Sequence, residues 1–209
     1  MRIKICGITR LEDALICEKL GADAIGYIFY EKSKRYIKPE DAGKISEKLS
    51  SFVSKVGVFV NESAENINRT SKIAGLNAVQ LQGDESVELL EQINVPVIKG
   101  FRVDDNFDYG VLNSFKNYGM LLDSRSDNEY GGTGHSFNWE RIPVEFRHKI
   151  ILAGGVSSDN IEFIMKEIDP AAVDVSSSLE VSPGVKDHNE IIKFINKIND
   201  YRIKYVDIT

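Results

Sequence analysis

The stretch Lys149-Ile-Ile-Leu-Ala-Gly-Gly-Val156 decides the fold prediction, because it joins a buried strand to a turn made of two glycines. The apolar run Ile150–Ala153 has no polar alternation, which is typical of a parallel strand covered on both faces. Gly154 and Gly155 follow at once, and the polar residues 157–160 can start a helix. A glycine pair at this point lets bare backbone N–H groups approach a ligand, and phosphate is the anion most often held this way.

The stretch Ala171-Ala-Val-Asp-Val-Ser-Ser-Ser178 repeats the plan of a short buried strand that ends in small residues. Two neighbouring strands with such ends form the phosphate site that follows strands 7 and 8 of a (β/α)8 barrel. We therefore expect these two turns to hold a phosphate group. The alternative is a pair of ordinary tight turns, which any protein of alternating strands and helices contains.

Eight predicted strands alternate with about eight helical segments along residues 1–209, and every strand ends in a turn rich in glycine or small polar residues. No linker composition appears, so the alternation predicts a single-domain (β/α)8 barrel with short loops at its bottom face. A doubly wound open sheet is the rival fold, but it usually has fewer strand–helix units in this length. The predicted strands cover residues 3–8, 24–29, 55–60, 78–81, 96–101, 119–123, 150–153 and 171–178.

Composition limits the possible partners. The chain has 42% hydrophobic and 28% charged residues, which is ordinary for a globular protein. Its net charge of -6 argues against nucleic acid and anionic membranes. The chain enters a strand directly after Met1, without the apolar region of a signal peptide, and no run is long enough to span a membrane. With only Cys6 and Cys17, a disulfide framework is not expected, and a reducing cytoplasm is the natural location.

The active site of a (β/α)8 barrel lies at the carboxyl ends of its strands, so the residues there are the candidates. Cys6 lies near the carboxyl end of the first predicted strand, and Lys4 lies two residues earlier on the same face. A nearby ammonium would favour the thiolate and make Cys6 a usable base. A cysteine in an apolar environment is otherwise a small buried hydrophobic residue, which is what we expect for Cys17 in the first helix.

Asp123 ends the sixth predicted strand after an apolar run. Apolar surroundings would raise its pKa, which suits a general acid, although it could instead cap the following loop. Arg35 lies in the basic loop after strand 2, where its planar guanidinium could clamp a substrate carboxylate or simply be solvated. The ends of other strands offer Asn61, Gln82 and Asp174.

The glycine-rich segment Gly131–Gly134 lies in a long loop after strand 6. It matches neither the Walker A pattern nor the dinucleotide-binding pattern, so we interpret it as a flexible lid or a turn. His135, His148 and His188 are scattered without the spacing of metal ligands, and we expect no metal site.

Short motifs occur in order along nearly the full chain, and together they are highly specific although each alone is weak. They are Lys4-Ile-Cys-Gly-Ile-Thr9, Ser33-Lys-Arg-Tyr36, Val58-Phe-Val-Asn61, Val79-Gln-Leu-Gln-Gly83, Leu122-Asp123, Gly131-Gly-Thr-Gly134 with Phe137-Asn-Trp139, Leu152-Ala-Gly-Gly155, Asp174-Val-Ser-Ser177 and Pro183-Gly-Val-Lys-Asp187. On these motifs the chain resembles the phosphoribosylanthranilate isomerase family of tryptophan biosynthesis.

The resemblance implies a barrel without a cofactor that catalyses an Amadori rearrangement of N-(5-phosphoribosyl)anthranilate to 1-(2-carboxyphenylamino)-1-deoxyribulose 5-phosphate. It implies that Asp123 protonates the furanose ring oxygen and that Cys6 removes the C2 proton of the opened sugar. It also implies that Arg35 holds the anthranilate carboxylate and that Asp174 lies near the aromatic amine. The other implied substrate contacts are Gln82 and, around the phosphate, the backbone of Gly154, Gly155, Ser177 and Ser178.

Three positions depart from the family pattern, which commonly has His, Asp and Gly where this chain has Gln82, Asn138 and Ser178. Gln82 can donate a hydrogen bond but cannot titrate, and Ser178 would crowd the phosphate site only if its φ were positive. Two alternatives stay open: another ribose-phosphate barrel enzyme, such as a lyase or synthase that uses a buried lysine, and a phosphate-binding barrel that has lost activity. We expect a small phosphorylated substrate as the partner and either a monomer or a homodimer.

Overall fold

Eight parallel strands close into a barrel in which each strand pairs with the next and β8 pairs with β1. The computed structural model describes residues 1–124 and 137–206, and it describes no side chains after residue 204. Helical segments lie between the strands, so the predicted (β/α)8 barrel is confirmed. The strands are β1 Arg2–Cys6, β2 Ala24–Ile28, β3 Ser54–Phe59, β4 Ala78–Leu81, β5 Val97–Val103, β6 Gly119–Ser124, β7 Ile150–Leu152 and β8 Ala172–Val175.

The helices vary widely in length, and the short ones explain how a complete barrel fits into 209 residues. The connection between β5 and β6 contains only a 3₁₀-helix, Tyr109–Phe115. In the described part of the chain, no helix is both long and apolar enough to span a membrane. The α-helices are α1 Leu11–Leu20, α2 Pro39–Ser46, α3 Ala64–Ala74, α4 Val87–Leu90, α5 Val144–Arg147, α6 Ile161–Phe163 and α7 His188–Val206.

The barrel buries polar side chains beside its apolar core. Lys4 in β1 and Asp174 in β8 are register partners, so their side chains leave the sheet on the same face. Gln80 of β4 and Lys99 of β5 are also buried. Because buried polar groups are costly without hydrogen bonds, each of these side chains has at least one partner within the barrel, although Gln80 Oε1 has none among the described residues.

An antiparallel hairpin between β8 and α7 was not predicted from the sequence. Its strands are β9 Glu180–Ser182 and β10 Val185–Lys186, joined through Pro183 and Gly184. Gly184 has a φ of +81°, which glycine adopts without strain. The hydroxyl of Thr9 donates to the Gly184 carbonyl, so the hairpin lies against the segment that follows β1. The hairpin thereby brings the charged side chains of Glu180 and Lys186 to the mouth of the barrel, which is the end where the carboxyl ends of the strands lie.

A buried ion pair between Lys99 of β5 and Glu85 links β5 to the segments that follow β3 and β4. Lys99 Nζ lies 3.0 Å from Glu85 Oε2, and the two side chains are only 5% and 1% exposed. Glu85 Oε1 accepts hydrogen bonds from the backbone N–H groups of Asn61 and Gly83. The network therefore holds the backbone on both sides of Gln82. Lys99 Nζ also donates to the backbone carbonyl oxygens of Leu81, Gly83 and Gly100.

Replacing Lys99 by Met should lower the free energy of unfolding by about 3 kcal/mol, because Glu85 is left buried without its cation. Chemical denaturation measures this loss. The double variant Lys99→Met/Glu85→Gln should be more stable than Lys99→Met, since it removes the uncompensated charge. Lys44→Met is the control, because Lys44 pairs with Asp41 on the surface and should contribute little. If Lys99→Met were as stable as the wild type, the ion pair would not support the barrel.

Candidate active site

An ion pair between Lys4 and Asp174 lies buried in the barrel, close to the carboxyl ends of β1 and β8. Lys4 Nζ is 2.9 Å from both carboxylate oxygens of Asp174, and the side chains are 4% and 8% exposed. Burial alone would lower the pKa of Lys4, but attraction to Asp174 outweighs it and the pKa is raised. Lys4 is therefore a cation at neutral pH.

Cys6 ends β1 next to this ion pair. Gly26 on β2 makes room for both groups, since a Cβ atom there would lie 2.6 Å from Cys6 Sγ and 3.1 Å from Lys4 Nζ. Burial raises the pKa of the Cys6 thiol, and Lys4 opposes this effect without overcoming it. Lys4 favours the thiolate, as expected, but desolvation of the thiol has the larger effect, so the net pKa is raised.

Asp123 on β6 is half-buried and has a pKa raised to about 7, first because the carboxyl is desolvated and second because the Asp174 carboxylate repels its charged form. The predicted rise in the pKa is therefore present. Gly154 packs directly against this group: a Cβ atom there would lie 2.4 Å from the Ser124 backbone nitrogen and 3.0 Å from Asp123 Oδ1. With a φ of +74°, Gly154 also has a conformation that favours glycine.

Two glutamine side chains lead from β4 to the Asp123 carboxyl. Gln80 Nε2 donates to Gln82 Oε1 at 2.9 Å, and Gln82 Nε2 lies 3.4 Å from Asp123 Oδ2. Gly100 on β5 leaves space for this chain, since a Cβ atom there would lie 2.1 Å from Gln82 Oε1. The structure thus places Gln82 beside the carboxyl group that sequence analysis selected as the acid.

Arg35, the predicted carboxylate clamp, is bound to Glu180. Its Nε lies 3.0 Å from both oxygens of Glu180, and its Nη2 lies 2.8 Å from Oε2. The Arg35 side chain passes over Gly7, where a Cβ atom would lie 2.7 Å from Arg35 Cδ. Since Gly7 follows Cys6, the guanidinium group is held near the end of β1. Glu180 and its second partner, Lys186, were not predicted as site residues, because both belong to the unpredicted hairpin.

The turns after β7 and β8 are joined, as the prediction of a shared site requires. Gly155 has a φ of +79°, and its carbonyl accepts a hydrogen bond from Asn160 Nδ2 at 2.8 Å. Ser178 Oγ donates to the carbonyl of Val156 at 2.6 Å, which bridges the two turns. Ser177 opens the short 3₁₀-helix that follows β8. These contacts bring the four predicted phosphate-binding residues to one side of the mouth.

The long loop after β6 cannot be described in the same way. Gly131–Gly134 and His135 lie outside the described residues, so the interpretation as a lid or a turn stays a prediction. Within residues 1–124 and 137–206, no three His, Cys, Asp or Glu side chains are grouped so that they could hold a metal ion. His188 instead contacts Asp13, with 2.8 Å between Nε2 and Oδ1.

The model of the N-(5'-phosphoribosyl)anthranilate isomerase family matches residues 3–197, which is nearly the whole described chain. The chain belongs to this family. An isomerase of that name from Thermotoga neapolitana is 48% identical over 202 residues, covering 94% of this chain and 98% of that protein.

Two solved structures of phosphoribosylanthranilate isomerases are similar to this chain. One, in complex with reduced 1-(o-carboxyphenylamino)-1-deoxyribulose 5-phosphate, superimposes with a TM-score of 0.86 at 42% identity and covers 96% of this chain and 99% of that chain. The other shows monomers of the dimeric enzyme of Thermotoga maritima, with a TM-score of 0.84, 40% identity and coverage of 95% and 98%. The similar structures and the family model therefore point to the same isomerase family.

The three departures from the isomerase pattern are accommodated by the structure. Ser178 is absent from the described non-glycine residues with positive φ, which are Asn61 and Asp169, so its side chain causes no backbone strain. Asn138 Oδ1 accepts from the Glu140 backbone N–H at 3.0 Å and caps a short 3₁₀-helix. Gln82 retains a donor toward Asp123, although it cannot exchange a proton as a histidine would.

Proposed function

We propose that this chain catalyses the Amadori rearrangement of N-(5-phosphoribosyl)anthranilate with Asp123 as the general acid and Cys6 as the general base. Membership of the isomerase family supports the reaction. The observation that carries the residue assignment is a carboxyl with a raised pKa and a buried thiol on either side of one ion pair. Because the rearrangement moves protons without net oxidation, these two side chains suffice and no cofactor is required.

Asp123 donates the first proton. A pKa of about 7 keeps a large fraction of the carboxyl protonated at neutral pH, where an ordinary aspartate is ionised. Protonation of the furanose ring oxygen breaks its bond to C1 and leaves a protonated Schiff base between C1 and the anthranilate nitrogen. As the pH rises through 7, Asp123 ionises and can no longer donate this proton.

Cys6 accepts the second proton. As a thiolate it removes the proton from C2 of the Schiff base, which gives an enolamine that tautomerises to the ketone. The raised pKa makes the thiolate scarce near neutral pH but makes it a stronger base once formed. Lys4 stabilises the thiolate by its charge, and the paired Asp174 keeps Lys4 in place.

The two ends of the substrate are anionic, and the mouth offers a site for each. We assign the anthranilate carboxylate to Arg35, which is held near Cys6 at the end of β1. We assign the phosphate to the backbone of the joined turns, where two glycines with positive φ have no side chains to block the approach of an anion to their N–H groups. Asp174 and Gln82 line the space between these ends. The turn residues are Gly154, Gly155, Ser177 and Ser178.

Two other functions have less support. A lyase or synthase of this fold would use a buried lysine for acid chemistry, but Lys4 and Lys99 are both engaged in ion pairs. A barrel that binds phosphate without catalysis would not need a carboxyl with a raised pKa and a buried thiol on either side of one ion pair. We retain the isomerase as the function that the geometry supports best.

We also propose a cytoplasmic location and a small phosphorylated substrate as the partner. Cys6 and Cys17 are both free thiols, which is the state that a reducing compartment maintains. The net charge of -6 disfavours nucleic acid and anionic membranes as ligands.

The purified protein should convert N-(5-phosphoribosyl)anthranilate, which is measured as the loss of the substrate's fluorescence. Asp123→Asn should lower kcat by at least about a thousandfold and change KM by less than about tenfold, because the acid acts in the transition state. Cys6→Ser should lower kcat by at least about a hundredfold, since a hydroxyl keeps the shape and loses the basicity. Cys17→Ser is the matched control and should turn over normally.

Each failure in this assay has a distinct meaning. A wild-type protein that binds the substrate analogue without turnover would be a non-catalytic barrel. Normal turnover by Cys6→Ser would place the base elsewhere, and a tenth or more of wild-type kcat in Asp123→Asn would exclude Asp123 as the essential acid.

We propose that the chain forms a homodimer through the end of the barrel opposite the mouth. A dimeric relative is among the similar structures. Phe52 lies in the connection between α2 and β3, at the amino end of the strands, and is 95% exposed. An aromatic ring is a common anchor of an interface, and contact at this end would leave the active site open.

Light scattering after gel filtration should give about twice the chain mass of 23.4 kDa. Phe52→Glu should yield a monomer, because a charge cannot be buried in such an interface without a partner. Val144→Glu is the control, since Val144 is also exposed, at 66%, and should leave the dimer intact. A monomeric wild type, or a dimer that persists in Phe52→Glu, would contradict this assembly.

A further inference from the structure

Glu180 lies between two cations at the rim of the barrel. Its carboxylate accepts hydrogen bonds from Arg35 at 2.8 and 3.0 Å and from Lys186 Nζ at 2.9 Å. The side chains of Lys186, Glu180 and Arg35 are 0%, 3% and 12% exposed, so water screens this cluster poorly. Lys186 is further fixed because its Nζ donates to the carbonyl of Ser176 at 3.1 Å.

The cluster has one more positive charge than negative charge. Burial alone would raise the pKa of Glu180, but the two cations outweigh it and the pKa is lowered, so Glu180 is an anion at neutral pH. The single negative charge of Glu180 therefore has to balance the positive charges of both Arg35 and Lys186. Burial lowers the pKa of Lys186, and Glu180 only partly offsets this, as expected for a cation whose charge is incompletely balanced.

Cys6 also faces Lys186, but burial raises the pKa of its thiol, so it is mainly neutral and does not balance the excess positive charge. The neighbouring carboxylates in the described residues are already engaged. Asp174 binds Lys4 with both oxygens. Asp13 accepts hydrogen bonds from His188 and from the backbone N–H of Lys186. The excess positive charge is thus available to an anion that enters beside Arg35, over Gly7. Such an anion would form a balanced cluster of two cations and two anions.

We propose that Lys186 is a specificity-determining positioning residue that makes Arg35 selective for a substrate with a carboxylate. Because the negative charge of Glu180 is shared between Lys186 and Arg35, the charge of the Arg35 guanidinium group is incompletely neutralised. Glu180 still fixes the orientation of that group. The inference rests on the proposed function, in which the carboxylate belongs to the anthranilate group. Without Lys186, Arg35 and Glu180 would form a neutral pair with little attraction for a further anion.

The test compares two ligands that differ only in the carboxylate: reduced 1-(o-carboxyphenylamino)-1-deoxyribulose 5-phosphate and its counterpart made with aniline. Calorimetric Kd values are measured for the wild type, Lys186→Met and Lys193→Met. Lys193 is the control, because it pairs with Glu190 at the surface. Lys186→Met should weaken the carboxylate ligand by about tenfold and the aniline ligand by less than about twofold, since a charge-assisted interaction is lost for only one of them.

A double variant tests whether the net charge of the cluster determines the preference. Lys186→Met/Glu180→Gln restores a single positive charge at Arg35, so it should recover most of the preference for the carboxylate ligand. An equal weakening of both ligands by Lys186→Met would show a structural role and overturn the proposal. An unchanged preference would overturn it as well.

Arg35→Ala separates this inference from the proposed function. If Arg35→Ala removes the preference and Lys186→Met does not, the role of Lys186 is wrong and the assignment of Arg35 stands. If Arg35→Ala also keeps the preference, the carboxylate binds elsewhere and the assignment of Arg35 itself fails.

Discussion

The buried ion pair between Lys4 and Asp174 is the interaction on which the rest of the site depends. A carboxylate inside the barrel requires a cation, and Lys4 supplies it to both oxygens. The negative charge of Asp174 then favours the protonated form of Asp123, while the positive charge of Lys4 favours the deprotonated form of Cys6. In the proposed mechanism, one ion pair therefore favours the proton-donating form of Asp123 and the proton-accepting form of Cys6.

Burial raises the pKa of both Asp123 and Cys6, but only the rise at Asp123 favours the protonation state that the proposed mechanism needs. It raises the pKa of Asp123 to about 7, where a carboxyl can act as an acid at neutral pH. It also raises the pKa of Cys6, which opposes formation of the thiolate. In the proposed mechanism, the balanced ion pair in the interior supports proton transfer, and the positively charged cluster at the rim binds the substrate's carboxylate. The rim cluster consists of Arg35, Glu180 and Lys186.

The sequence predicted the barrel, since uninterrupted apolar runs followed by glycine mark buried parallel strands. It also predicted which strand ends matter, including Cys6 with Lys4 on the same face and Asp123 after an apolar run. Three features could not be predicted. The pairing of Lys4 with Asp174 spans 170 residues and needs the barrel to close. The net pKa of Cys6 depends on a balance of burial and charge. The hairpin that carries Glu180 has strands of three and two residues, too short for a periodic pattern, and only Pro183-Gly184 marks its turn.

The central claim is that desolvation and the charge of Asp174 raise the pKa of Asp123 enough to keep a large fraction of it protonated at neutral pH, and a direct titration tests it. Carboxyl carbon NMR of protein labelled at aspartate, with Asp123→Asn to assign the signal, should give a midpoint near 7: the acid form below it and the carboxylate above it. In Asp174→Asn the midpoint should fall, because the repelling charge is gone and Lys4 remains nearby. A midpoint close to 4 in the wild type would contradict the account.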